Sequence, residues 1–149
     1  MGLDMYLSAK KFIYPDFDGH KEMNDQLAHV RLPKPLSRVE RIECEAMYWR
    51  KANAIHKWFV DNVQGGKDEC RAHYVDRNQL QELLDTVNKV LEDKDLAPDL
   101  LPTESGFFFG STEFDDWYWH QAKYTRDRLT EILSDPELES WDFQYQSSW

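Results

Sequence analysis

The stretch from Tyr48 to Phe59, YWRKANAIHKWF, decides how the chain is read. It sets Tyr48, Trp49, Trp58 and Phe59 beside the cations Arg50, Lys51 and Lys57, with Asn53 and His56 between them. Upstream, Ser37 and Glu40 have the spacing of a capping box, in which the Ser hydroxyl takes a free helix amide and the Glu reaches back to the cap. A helix starting near Arg38 then carries Val39, Ile42, Ala46, Trp49, Asn53, His56, Val60 and Val63 down one stripe, with Tyr48, Ala52, Ile55 and Phe59 beside it. Gln64, Gly65 and Gly66 end it. On this reading Asn53 and His56 face inward among apolar neighbours. A buried amide or imidazole left unpaired costs about 1 to 3 kcal/mol, so each needs either a partner within the fold or a ligand.

Working outward, Leu3, Met5 and Leu7 alternate with Asp4, Tyr6 and Ser8, the period of two of a half-buried strand. Trp141, Phe143 and Tyr145 alternate with Asp142, Gln144 and Gln146 in the same way at the other end, and the two terminal strands are expected to pair. Residues 15–36 read as an irregular excursion closed by Pro33 and Pro35. Ala72 to Val75 is a short strand, and Asp76 with Gln79 caps a helix whose stripe is Leu80, Leu83, Leu84, Val87, Val90 and Leu91. Asp95 to Thr103 reads as a loop, and Gly106 to Gly110 as a buried strand or tight turn around Phe107, Phe108 and Phe109. Ser111 or Thr112 is expected to cap a third helix, with Phe114, Trp117 or Tyr118, Gln121, Leu129 and Ile132 inward, stopped by Asp135-Pro136. The fold class is therefore α+β: one domain over 1–149, a small antiparallel sheet including both terminal strands, packed against three helices.

The net charge of −10 is unevenly spread: residues 1–75 carry 12 Lys/Arg and 11 Asp/Glu, whereas residues 76–149 carry 6 and 17. An acidic total argues against direct nucleic-acid binding and against an anionic membrane, both of which need a basic surface. No apolar run has the length of a signal peptide or a membrane span, and two cysteines make no disulfide scaffold, so a cytoplasmic setting is expected.

Arg50 and Lys57 flank Asn53 and His56 and suit a phosphate or carboxylate. GFFFGST lacks the Lys of a phosphate-binding loop, but its glycines let backbone approach a ligand, and Phe108, Ser111, Thr112 and Trp117 offer stacking and hydrogen bonds there. The candidate ligand-binding residues are thus Arg50, Asn53, His56, Lys57, Phe108, Ser111, Thr112 and Trp117. No catalytic set and no cofactor is implied. Cys70 and His73 with Asp68 and Glu69 make only part of a metal site. Three readings follow: a binding protein for a small anionic aromatic ligand, nucleotide-like, without turnover; an inhibitor that meets a host protein through its acidic surface; and a small hydrolase or transferase using His56. A homo-oligomer stays open.

The motifs MGLDMYL, YWRKANAIHKWF followed by NVQGG, LLPTESGFFFGSTEFDDWYW and the closing YQSSW resemble a family of small acidic proteins of tailed phages and bacteria. The resemblance spans essentially the whole chain. It implies an architecture and a phage or prophage setting, with evasion of host defence as the context for ligand binding, rather than a reaction mechanism.

Overall fold

Strand β1 (Asp4–Phe12) buries Met5, Leu7 and Ala9 and turns Tyr6 outward, as its alternation requires. In the computed structural model, which describes residues 2–149, β1 lies beside the last strand, β4 (Asp142–Ser148), in an antiparallel register that sets Met5 opposite Ser147 and Leu7 opposite Tyr145. Strand β2 (Arg41–Arg50) pairs with the other side of β1, and the short β3 (His73–Val75) pairs with β4, giving the order β2-β1-β4-β3 with every pair antiparallel. The terminal strands are therefore central, and the sheet is the antiparallel one expected.

The long helix expected from Arg38 to Val63 does not form. Residues 41–50 are the edge strand β2, and only Asn53–Asn62 is helical (α2, following the short α1, Lys21–Leu27). The reason lies in one extra residue. The register steps from Leu7 opposite Met47 to Ser8 opposite Glu45, so Ala46 is bulged out of the ladder. Ile42 and Cys44 before the bulge, and Met47 and Trp49 after it, lie opposite Lys11, Ala9, Leu7 and Met5. That single insertion turns a period of two into the 3/4 spacing of Ile42, Ala46 and Trp49, which mimics a helical stripe. Ser37 and Glu40 cap nothing.

Lys51 makes the corner between β2 and α2. It sits at φ 52°, a left-handed conformation that an L-residue enters at a cost, and its amide donates to the Leu3 carbonyl at 2.7 Å. The helix that follows has no side-chain cap at Ala52. Behind the sheet, α3 (Arg77–Glu92) begins in the expected capping box of Asp76 and Gln79, buries Leu80, Leu83, Leu84, Val87 and Val90, and packs against α5 (Asp116–Ser134). Between them, the expected loop at 95–103 contains a 3-10 turn and a short helix, α4 (Ala97–Leu100). Among the described residues the helices thus number five rather than three, and the added two are short ones. Residues 15–36 also hold a 3-10 turn, Asp18–His20, ahead of α1; neither buries a residue.

Helix α5 starts later than expected. Asp115, not Ser111 or Thr112, is its cap and accepts the Tyr118 amide at 3.0 Å. That bond holds the Asp115 carboxyl below its usual range. The shift in start turns Tyr118, Gln121, Ala122 and Thr125 inward and leaves Phe114 and Trp117 on the surface. Thr125 Oγ1 takes the indole proton of the buried Trp49 at 2.8 Å, which ties α5 to β2.

Replacing Lys51 with residues of different backbone preference tests the corner. Lys51→Gly should raise stability by up to about 1 kcal/mol and Lys51→Val should lower it, because only glycine enters the left-handed region freely. Urea denaturation midpoints of the three proteins give the order.

Candidate functional site

Both polar residues of α2 are buried, Asn53 at 4% and His56 at 1% exposure. Asn53 is satisfied by the segment that crosses over the start of α2. Its Nδ2 donates to the carbonyls of Phe109 (2.9 Å) and Ser111 (2.8 Å), and its Oδ1 accepts the Glu104 amide at 3.1 Å. The side chain therefore staples residues 104–111 to the helix, with both of its N–H donors committed within the fold. The glycine-bracketed turn lies within this staple: the Phe109 amide donates to Gly106, the Phe108 carbonyl accepts from Leu3, and Phe107 is left 94% exposed.

His56 is held from two sides. Its Nδ1 lies 2.7 Å from the hydroxyl of Tyr145 on β4, and its Nε2 lies 3.1 Å from Asp68 Oδ2. Burial, and next the Asp68 charge, push the Tyr145 phenol well above its ordinary pKa, so the hydroxyl facing Nδ1 keeps its proton. The Asp68 contact does not have hydrogen-bond geometry, and Nε2 is buried without a hydrogen-bond partner. Asp68 also accepts the indole N–H of Trp149 at 3.1 Å, so the segment after α2 and the chain's last residue meet at one carboxylate. The Tyr145 ring stacks on Phe59 of α2 at 3.9 Å between centroids, nearly parallel at 6°, which fixes the height of α2 over β4.

Above this pair opens a cleft of about 300 Å³, lined by His56, Lys57, Val60, Asp61, Gly66, Asp68, Glu104, Ser105 and Phe109. Lys57 is its single cation, and it already contacts Asp61 (3.1 Å) and Glu104 (3.3 Å). The hydrogen bond to Asp61 raises its pKa above the ordinary value. Three carboxyl groups, Asp61, Asp68 and Glu104, thus share the cleft with one ammonium group. The edge of Phe109 meets the His56 ring at 5.2 Å and supplies one apolar wall.

The eight residues singled out by sequence divide into three groups. His56 and Lys57 belong to the cleft. Asn53, Ser111 and Trp117 border a separate crevice with Lys51 and Gln121, whose free space of about 20 Å³ admits roughly one water. Arg50, Phe108 and Thr112 line neither. The partial metal set is likewise divided: Asp68 faces His56, Glu69 faces Arg71 and His73, and Cys70 is exposed. Sequence reasoning placed no site role on Glu104 or Tyr145, and took Asp61 only as a pairing partner for the nearby cations, as Lys57 shows. The signal for Tyr145 was present, a hydroxyl on the buried face of a strand that needs a partner. No protein-family model, curated protein or solved structure matches the chain.

Asn53→Ala removes three hydrogen bonds and leaves Phe109 O, Ser111 O and the Glu104 amide without their partner. The expected loss is about 3 kcal/mol in chemical denaturation, with faster amide exchange confined first to residues 104–111.

Proposed function

We propose that the protein binds, without turnover, a small ligand that brings positive charge and hydrogen-bond donors, an amine or a protonated nitrogen base, into the cleft beside His56. The observation that carries this reading is the composition of the cleft: three carboxylates and a buried imidazole nitrogen without a hydrogen-bond partner around about 300 Å³, near the lower end of the size range of small-molecule sites. The anionic half of a nucleotide-like ligand has little to meet there. Lys57 is paired twice and Arg50 lies outside the cleft. A base edge rich in N–H groups fits the carboxylates better than a phosphate does.

Binding without turnover is favoured because no activated nucleophile faces the cleft. His56 already has a partner at Nδ1 and a carboxylate against Nε2, and the Tyr145 hydroxyl is buried with its proton held. Within the phage or prophage setting that the sequence motifs suggest, such a cleft would sequester a small molecule made by the host.

Calorimetric titration with a panel of polyamines, amino-substituted nucleosides and the corresponding nucleotides tests the reading. Amines or nucleosides should bind, their phosphorylated forms more weakly, and Glu104→Gln should weaken binding about tenfold by removing one charge-assisted contact. Silence across the panel, or nucleotides binding more tightly than nucleosides, contradicts it.

A further inference from the structure

The two halves of the edge strand β2 meet different surroundings. Near the corner, α5 covers the edge: the Tyr48 amide donates to Tyr124 Oη at 3.3 Å, and Arg128 Nη2 donates to the Ala46 carbonyl at 3.0 Å. In the other half Arg41, Glu43, Cys44 and Glu45 are exposed and Ile42 is half-buried.

The direction of the backbone groups in this open half follows from the ladder. The Ile13 amide donates to Glu40, and the register continues with Lys11 opposite Ile42 and Ala9 opposite Cys44. Alternation then turns the amides and carbonyls of Arg41, Glu43 and Glu45 away from β1. Among the described residues, no turn or loop hydrogen bond reaches them. A row of free backbone groups of this kind is a template for another strand.

We propose that the strand it receives is β2 of a second copy of this chain, paired antiparallel about a twofold axis at Glu43. The argument is charge complementarity in the register that the free groups allow. Pairing Glu43 with itself sets Arg41 opposite Glu45 of the second copy, and by symmetry Glu45 opposite Arg41, so two ion pairs form at once. The two Glu43 side chains meet at the axis, but each has Lys10 Nζ 3.4 Å from its own Oε1. Lys10 and Arg41 thus balance Glu43 and Glu45 within each copy, and the joined patch is neutral although the chain is not. On the opposite face of the ribbon Ile42 comes to lie against Cys44. Moving the axis to Cys44 sets Glu43 against Glu45 and carries the pairing to Ala46, where Arg128 of α5 lies. Moving it to Ile42 pairs Arg41 with Glu43 but sets Glu45 opposite Val39, with no cation across from it. Moving it to Arg41 sets that arginine against itself. The result is a continuous eight-stranded sheet, two copies of the four-stranded one.

Sedimentation velocity over a concentration series reads the equilibrium directly. The wild-type chain should pass reversibly from monomer to dimer. Arg41→Glu and Glu45→Arg, taken singly, should each weaken dimerisation about tenfold or more, since the twofold axis converts each reversal into two like-charge contacts. The two changes together exchange the polarity of both pairs and should restore association. Ile42→Cys in a Cys70→Ser background should give, on mild oxidation, a disulfide between chains through Cys44. A chain that stays monomeric throughout, single variants that associate as well as wild type, or a double variant no better than either single one overturns the proposal. None of these readouts depends on what the cleft binds.

Discussion

A histidine placed in the apolar face of a helix must meet polar groups inside the fold, and in this protein the groups that His56 meets connect otherwise separate parts of the chain. His56 draws Tyr145 from the last strand to one nitrogen and Asp68 from the segment after α2 to the other. Asp68 in turn holds the indole of Trp149. The stacking of Tyr145 on Phe59 means that the same tyrosine sets both the polar contact and the packing distance between α2 and the sheet. Taking away either His56 or Tyr145 leaves the other buried and without its partner, which is costlier than the loss of a single contact.

Asn53, one turn earlier, staples residues 104–111 by three hydrogen bonds, while His56 faces Asp68 of the segment after α2. The two side chains thereby bring two loops to the same end of α2, and the cleft is the space left between them. Its character follows from what the loops carry, Glu104 from one and Asp68 from the other, with Lys57 and Asp61 contributed by the helix itself. The acidity of the site is a product of loop closure rather than of any continuous acidic segment.

Much of the fold is legible because its signals are local. The alternation in both terminal strands, the Asp76 and Gln79 box, the leucine and valine stripe of α3 and the Asp135-Pro136 stop each lie within a few residues. The segment from Arg38 to Arg50 misleads because the bulge at Ala46 disguises a strand as a helix, and only the register with β1 exposes it. The burial of Asn53 and His56 is readable on either assignment, since both put them after Trp49 on an inward face. Their partners are not: Tyr145 is 89 residues from His56 and Phe109 is 56 from Asn53, distances over which the sequence carries no spacing rule. For the same reason the cationic candidates Arg50 and Lys57, neighbours in sequence, part company in space, one at the end of an edge strand and one inside the cleft.

The coupling between His56 and Tyr145 is the most direct measure of this account. A double-mutant cycle using His56→Ala, Tyr145→Phe and the pair together, followed by chemical denaturation, isolates it from the cavity that each substitution leaves. The double variant should lose about 1 to 2 kcal/mol less than the sum of the two single losses, because a partner already removed cannot be orphaned again. Strict additivity would mean that the two groups do not depend on each other, and would contradict the role given to His56 here.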